Sequence, residues 1–235
     1  MKHFLLILLC ASSYLTAQES ITEVRKLAFG NPFDPANQDA ITLLNRIDPE
    51  EEYSLMLFDH WQPMDVEGKD GIQLHIDSAN YHIGQDKFFF INQKKLYELF
   101  PEKIHDITMN QRTFVYTPYE FEEHKVKPRY FEMLEAGEYT LLRKFEIKKE
   151  VTNDHPMGIA AATEVKYRHD EKFYYLRKGA RLPEVVPTNK KDFIMIFKKN
   201  RPELVIFAKE NKISLRSGEE LKVIFAYYNR LAEQS

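Results

Sequence analysis

Between Tyr53 and about Arg177 the chain is a succession of short apolar runs, each closed by Gly, Asn, Asp or Pro. This punctuation limits the fold more than any other feature. Parallel strands need a crossover of a dozen or more residues, usually a helix, whereas antiparallel neighbours can be joined by a tight turn. The connections here are tight, so the sequence predicts antiparallel pairing in a β-rich body that is a meander, sandwich-like or partly closed. The clearest runs are Ser54 to Phe58, Ile72 to Asp77, Tyr81 to Gly84, Lys87 to Asn92, Ile104 to Thr108 and Thr113 to Thr117. Longer ones follow at Tyr130 to Leu134 and Glu138 to Lys148, then Glu164 to Arg168 and Lys172 to Arg177. Ile72, Leu74 and Ile76 alternate with Gln73, His75 and Asp77, so this strand has one buried and one wet face.

From Asn189 the apolar period changes from two to 3.6. Asn189 caps a first helix that begins Lys190-Lys191-Asp192, and Pro202 stands where a proline starts a second. Ser217 and Glu220 have the spacing of a capping box for a third, whose stripe is Leu221, Ile224, Phe225, Tyr228 and Leu231. Two more helical pieces, Ser20 to Leu27 and Asn37 to Ile47, precede the β region. The fold class is therefore α+β. Residues 18–52 form a helical preface or arm, 53–186 a β-rich domain, and 187–235 a helical segment packed on it.

The first 17 residues read as a signal peptide: Lys2-His3, an apolar run from Phe4 to Ala11, and a small residue, Ala17, at the cut. That run is far shorter than the roughly 20 residues a membrane-spanning helix needs, and no later stretch approaches that length. Lipid attachment at Cys10 is the alternative, but Leu9 stands where a small residue is expected. Cleavage after Ala17 leaves 218 residues without cysteine and moves the net charge from −3 to −4. A mature chain without thiols has no disulfide, no cysteine-ligated zinc and no cysteine nucleophile. Its slightly acidic balance supplies no field for phosphate backbones, which argues against nucleic acid as partner.

Chemistry-bearing residues are present without a motif that assigns them a task. His75 and Asp77 share a strand face, and His82 lies beyond a turn expected at Ser78-Ala79-Asn80, so a hairpin could gather two imidazoles and a carboxylate around zinc. Solvated residues on a wet strand face explain the same pattern, and no metal set is assigned. His105, His124, His155 and His169 have no ligand or catalytic spacing. The acid pairs Asp65/Glu67 and Glu122/Glu123 cannot be given acid and base roles without their spatial separation. Gly-x-Ser-x-Gly, Ser-x-x-Lys and phosphate-cradling loops are absent from any convincing setting, and no cofactor is expected.

The aromatic clusters are the most unusual feature: Phe88-Phe89-Phe90, Tyr116 with Tyr119, Phe173-Tyr174-Tyr175 and Tyr227-Tyr228. Consecutive aromatics in a strand point to opposite faces. Either both faces are covered, or some rings form a binding surface for a glycan or a protein. The candidate ligand contacts are Trp61, the only tryptophan and a neighbour of His60, together with Tyr81 and Tyr174.

Several stretches together resemble a family of uncharacterised secreted proteins of Bacteroidota-type bacteria. They are Phe58-Asp59-His60-Trp61-Gln62-Pro63, Phe88-Phe89-Phe90, Thr113-Phe114-Val115-Tyr116, the strand Tyr139 to Lys148, Lys172-Phe173-Tyr174-Tyr175-Leu176 and the tail Asn189 to Leu231. The resemblance carries no catalytic residue. The expectation is an exported, non-enzymatic module, periplasmic or extracellular or associated with the outer membrane, that binds a protein or glycan of the cell envelope. The rival is a secreted or periplasmic hydrolase whose site is built from scattered histidines and acids.

Overall fold

A computed structural model describes residues 28–29, 54–92, 95–152, 164–197, 201–213, 215 and 217–234. The expected leader, both expected N-terminal helical pieces and His155 lie outside the described residues. The structure is α+β, with antiparallel strands followed by three C-terminal helices. It divides into two compact units, residues 1–110 and 111–235, and the division falls inside the span 53–186.

In the first unit β1 (Ala28–Phe29), β2 (Gln62–Gly68), β3 (Gln73–His82), β4 (Lys87–Asn92), β5 (Lys95–Leu99) and β6 (Ile104–Met109) lie in the order β1-β5-β4-β3-β2-β6. Strands β2 to β5 are a meander. The chain then returns through a 3₁₀ turn at Pro101–Lys103 and lays β6 on the free side of β2. Every pairing is antiparallel. Phe88, Phe89 and Phe90 are all buried, so β4 is covered on both faces and this aromatic cluster is core. Phe88 stacks on its cross-strand partner Tyr81, and Phe90 on its partner Tyr97.

The strand expected at 54–58 is instead an irregular segment with one bridge, Met56 to His82. Asn80 holds it: its amide accepts from Phe58 N–H and donates to Phe58 C=O, 3.3 and 2.8 Å away. The turn expected at Ser78-Ala79-Asn80 is the interior of β3, where the register against β2 slips between the pairs Met64–Ile76 and Gln62–Ala79. An extra residue in a strand produces such a slip, and its small polar side chains resemble a turn in sequence.

In the second unit β7 (Arg112–Glu122), β8 (Lys125–Glu135), β9 (Tyr139–Thr152), β10 (Glu164–Arg177) and β11 (Glu184–Val185) form a meander in chain order. The separate runs expected at Glu164 to Arg168 and Lys172 to Arg177 are one strand of 14 residues. Three helices follow, α1 (Lys190–Ile196), α2 (Arg201–Glu210) and α3 (Gly218–Glu233). Asn189 accepts from Asp192 N–H at 2.9 Å, and Ser217 and Glu220 form the capping box expected of them. The helices bury Phe193, Phe197, Leu204, Leu221, Ile224, Phe225 and Tyr228 against Tyr139, Leu141 and Val186. Leu142 and Tyr174 point the other way, into a cluster with Tyr119 and Phe131. Near Leu141-Leu142 of β9 and Phe173-Tyr174-Tyr175 of β10 the sheet is thus apolar on both faces, as successive apolar residues in a strand require.

Two polar anchors lock this unit. Asn229 of α3 accepts from Tyr139 N–H at 3.0 Å and donates to the carbonyls of Tyr139 and Ala136, at 3.0 and 3.2 Å. Glu132, 3% exposed, receives Nε and Nη2 of Arg112 at 2.9 and 2.7 Å and Nε of Arg143 at 2.8 Å. Both guanidinium groups lie about 5 Å from the Phe145 ring centre, within cation–π reach.

Candidate functional site

The solvent face of the three adjacent strands β3, β2 and β6 carries most of the first unit's chemistry. Strand alternation puts Met64, Val66, Leu74, Ile76, Ile107 and Met109 inside and leaves the intervening side chains outside. The registers bring those outer residues into two rows. One row is His75–Asp65–Thr108, and the next is Gln73–Glu67–Asp106. They line an open groove of about 390 Å³.

In the first row His75 Nδ1 lies 2.6 Å from Asp65 Oδ1, and its Nε2 lies 3.5 Å from Asp77 Oδ1. The hydrogen bond to Asp65, aided by the negative charge of Asp65 and Asp77, outweighs slight desolvation and holds the imidazole above its usual range. The Asp65 hydrogen bond fixes the ring's orientation and favours its protonated form, with which it can donate to a ligand.

The second row contains a departure from alternation. Glu67 pairs with Asp106, but the next residue, Gly68, pairs with Ile104, so β6 places two residues opposite one step of β2. His105 is the extra residue of this bulge. Ile104 and Ile107 are both buried while His105 and Asp106 between them both turn outward. Bulges re-aim side chains in this manner. Donor atoms of Glu67, His105 and Asp106 consequently lie within 4.8 Å of one another, and His105 Nδ1 is 3.0 Å from Asp106 Oδ2.

The residues singled out from sequence fall elsewhere. Tyr81 is 2% exposed, and its hydroxyl donates to Asp86 at 2.6 Å. Tyr174, 6% exposed, meets Phe131 and Tyr119 edge-on in the second unit. Both rings are core. Trp61 is half-buried beside exposed His60 at the start of β2. His82 does not join His75 and Asp77: it is 2% exposed and accepts from Gln85 N–H at 3.1 Å. Burial, with Lys87 nearby, pushes its pKa down to about 4. The reading of His75, Asp77 and His82 as one zinc set therefore gives way, because one imidazole is in solvent and the other in the core.

Sequence reasoning passed over His105, Asp106 and the pairing of Asp65 with His75. One local signal was present: in Ile104-His105-Asp106-Ile107 the apolar positions are three apart, which a regular one-faced strand does not allow. Among the described residues no helix is long and apolar enough to cross a membrane. No family model matches the chain, and neither a curated protein nor a solved structure matches it.

Proposed function

We propose that this chain is an exported, non-enzymatic binding module of the cell envelope, periplasmic or extracellular, that takes a protein partner on the open face of β3, β2 and β6. The carrying observation is the groove itself, shallow, open to solvent and lined by Asp65, Glu67, Gln73, His75, Asp106 and Thr108 on rigid strands. Side chains fixed on a sheet lose little freedom on binding, which favours recognition. Asp65, Glu67, Asp77 and Asp106 outnumber the histidines, so a partner segment rich in Lys or Arg is the complementary choice. The two carboxylates beside His75 favour its protonated form, which suits hydrogen-bond donation to a partner. The apolar leader and Ala17 support export, as does the resemblance carried by Phe58 to Pro63 and the tail.

The test is binding of the purified protein to arrays of basic peptides, acidic peptides and glycans, with the triple substitution Asp65→Asn, Glu67→Gln, Asp106→Asn as comparison. Saturable binding to basic peptides that the triple variant loses and added salt weakens is the expected result. Selective glycan binding at the same face replaces the partner class. Turnover of ester, peptide or glycoside substrates that the triple variant abolishes overturns the non-enzymatic reading. A mature mass that still includes residues 1–17 overturns the export reading.

A further inference from the structure

The second row of the groove has the composition and spacing of a metal centre. We infer that Glu67, His105 and Asp106 form a binding site for a first-row transition-metal dication of the zinc type. The inference shares the sheet face with the binding reading but needs no partner.

The bulge in β6 is the first ground. A regular strand would send His105 and Asp106 to opposite faces of the sheet. The slip between the pairs Glu67–Asp106 and Gly68–Ile104 turns both outward, beside the carboxylate of Glu67 on the neighbouring strand. The strand pair thus commits an irregularity to bringing three metal-ligating side chains together. A charged surface has no need of one.

Spacing is the second ground. The three donor atoms lie within 4.8 Å of one another. Ligands about 2.0–2.1 Å from a tetrahedral ion stand roughly 3.4 Å apart. His105 Nδ1 and Asp106 Oδ2, at 3.0 Å, are already inside that separation. The remaining gap is of the order that side-chain adjustment spans, and the His105 side chain, 63% exposed, has solvent around it in which to adjust.

Donor chemistry selects the ion. One imidazole nitrogen with two carboxylate oxygens suits zinc and its neighbours, whereas calcium and magnesium call for oxygen alone. Three protein ligands leave a fourth position for water or a ligand, and two of the three, Glu67 and Asp106, line the groove.

The experiment is calorimetric titration of chelator-stripped protein with zinc chloride, and with calcium and magnesium chloride in parallel, in the absence of any peptide or glycan. Expected are one equivalent of zinc, little binding of calcium or magnesium, and at least a tenfold weakening for His105→Ala and for Glu67→Gln. His124→Ala, in the turn between β7 and β8 beside Glu122 and Glu123, leaves the titration unchanged. Circular dichroism confirms that each variant is folded, and X-ray absorption of the zinc-loaded protein shows one imidazole and oxygen ligands. Absence of saturable zinc binding overturns the inference, as does binding that survives both substitutions or falls equally with His124→Ala. Calcium bound as tightly as zinc also overturns it. A positive titration with a negative array experiment overturns only the partner reading, and the reverse pair overturns only the metal site.

Discussion

Replacing Glu132 by Gln tests the polar anchor of the second unit with almost no change of shape. In the native protein two guanidinium groups share this carboxylate, Arg112 through both oxygens and Arg143 through Oε2, while Glu171 takes Nη1 of Arg143 at 3.0 Å. Glutamine keeps one accepting oxygen but turns an NH₂ group toward guanidinium donors. It also removes the negative charge that lies between the two cations, leaving Glu171 paired with Arg143 alone. Breaking a buried pair from one side costs about 3–5 kcal/mol, because the abandoned charge stays behind. The side chains of Arg112 and Arg143 are 22% and 18% exposed and can recover some hydration, which places the loss near the lower end, at about 3 kcal/mol. The only tryptophan, Trp61, belongs to the first unit, so its fluorescence does not report directly on this anchor. Hydrogen exchange does. Amides of β8 and β9 are expected to exchange on the order of a hundredfold faster in Glu132→Gln, since 1.4 kcal/mol is a factor of ten. Amides of β2 and β3 serve as the internal reference. Adding Arg112→Met and Arg143→Met is expected to recover part of the protection, because apolar replacement removes the stranded charges. Less than a threefold change in exchange for Glu132→Gln would refute the reasoning.

Other consequences are equally direct. Gly137→Ala places a methyl carbon 2.3 Å from Asn229 Cγ, so it is expected to lower the thermal midpoint by several degrees; an unchanged midpoint contradicts the tight approach. Ser217→Ala removes the cap of α3 and is expected to cost about 1 kcal/mol in urea unfolding followed by helical circular dichroism, with Ser217→Asp largely restoring it. His82 has a folded pKa of about 4, below its ordinary value near 6.5, so the unfolded chain takes the proton first as pH falls. Stability is therefore undiminished by this group above about pH 6.5 and drains away toward pH 4, by at most about 3 kcal/mol. The difference between wild type and His82→Gln in unfolding free energy should vary across that window, and parallel pH profiles would count against it.

The helices were legible because their signals are local: Asn189, Pro202 and the Ser217–Glu220 box act within one turn of themselves. The run Lys87 to Asn92 matches β4 residue for residue, since a short hydrophobic strand between turns needs no outside information. Apart from the two-residue strands β1 and β11, two strands escaped. Gln62–Gly68 has a proline at its second position and carries two acids, and only Met64 and Val66 mark its apolar buried side. Lys95–Leu99 is too short for alternation to declare itself. The candidate site was lost with the first of these, because Asp65 and Glu67 acquire meaning only when β2 lies between β3 and β6. That arrangement depends on a long-range return of the chain past three strands, and no local pattern encodes it. The aromatic triplets had two readings in sequence, and for Phe88-Phe89-Phe90 burial on both faces decides for the core.

Asn229 also sets an order of completion. It supplies the partners of Tyr139 N–H and of the Ala136 and Tyr139 carbonyls from 90 residues farther along the chain. A polypeptide delivered N-terminus first, from a ribosome or through a pore, has every strand of the second unit available while this corner still lacks those three bonds. Only when the last turns of the final helix arrive is the corner closed. A chain cut short before residue 229 would thus keep its strands and lose the corner's seal, and proteolytic nicking at residues 136–139 would distinguish interrupted copies from finished ones.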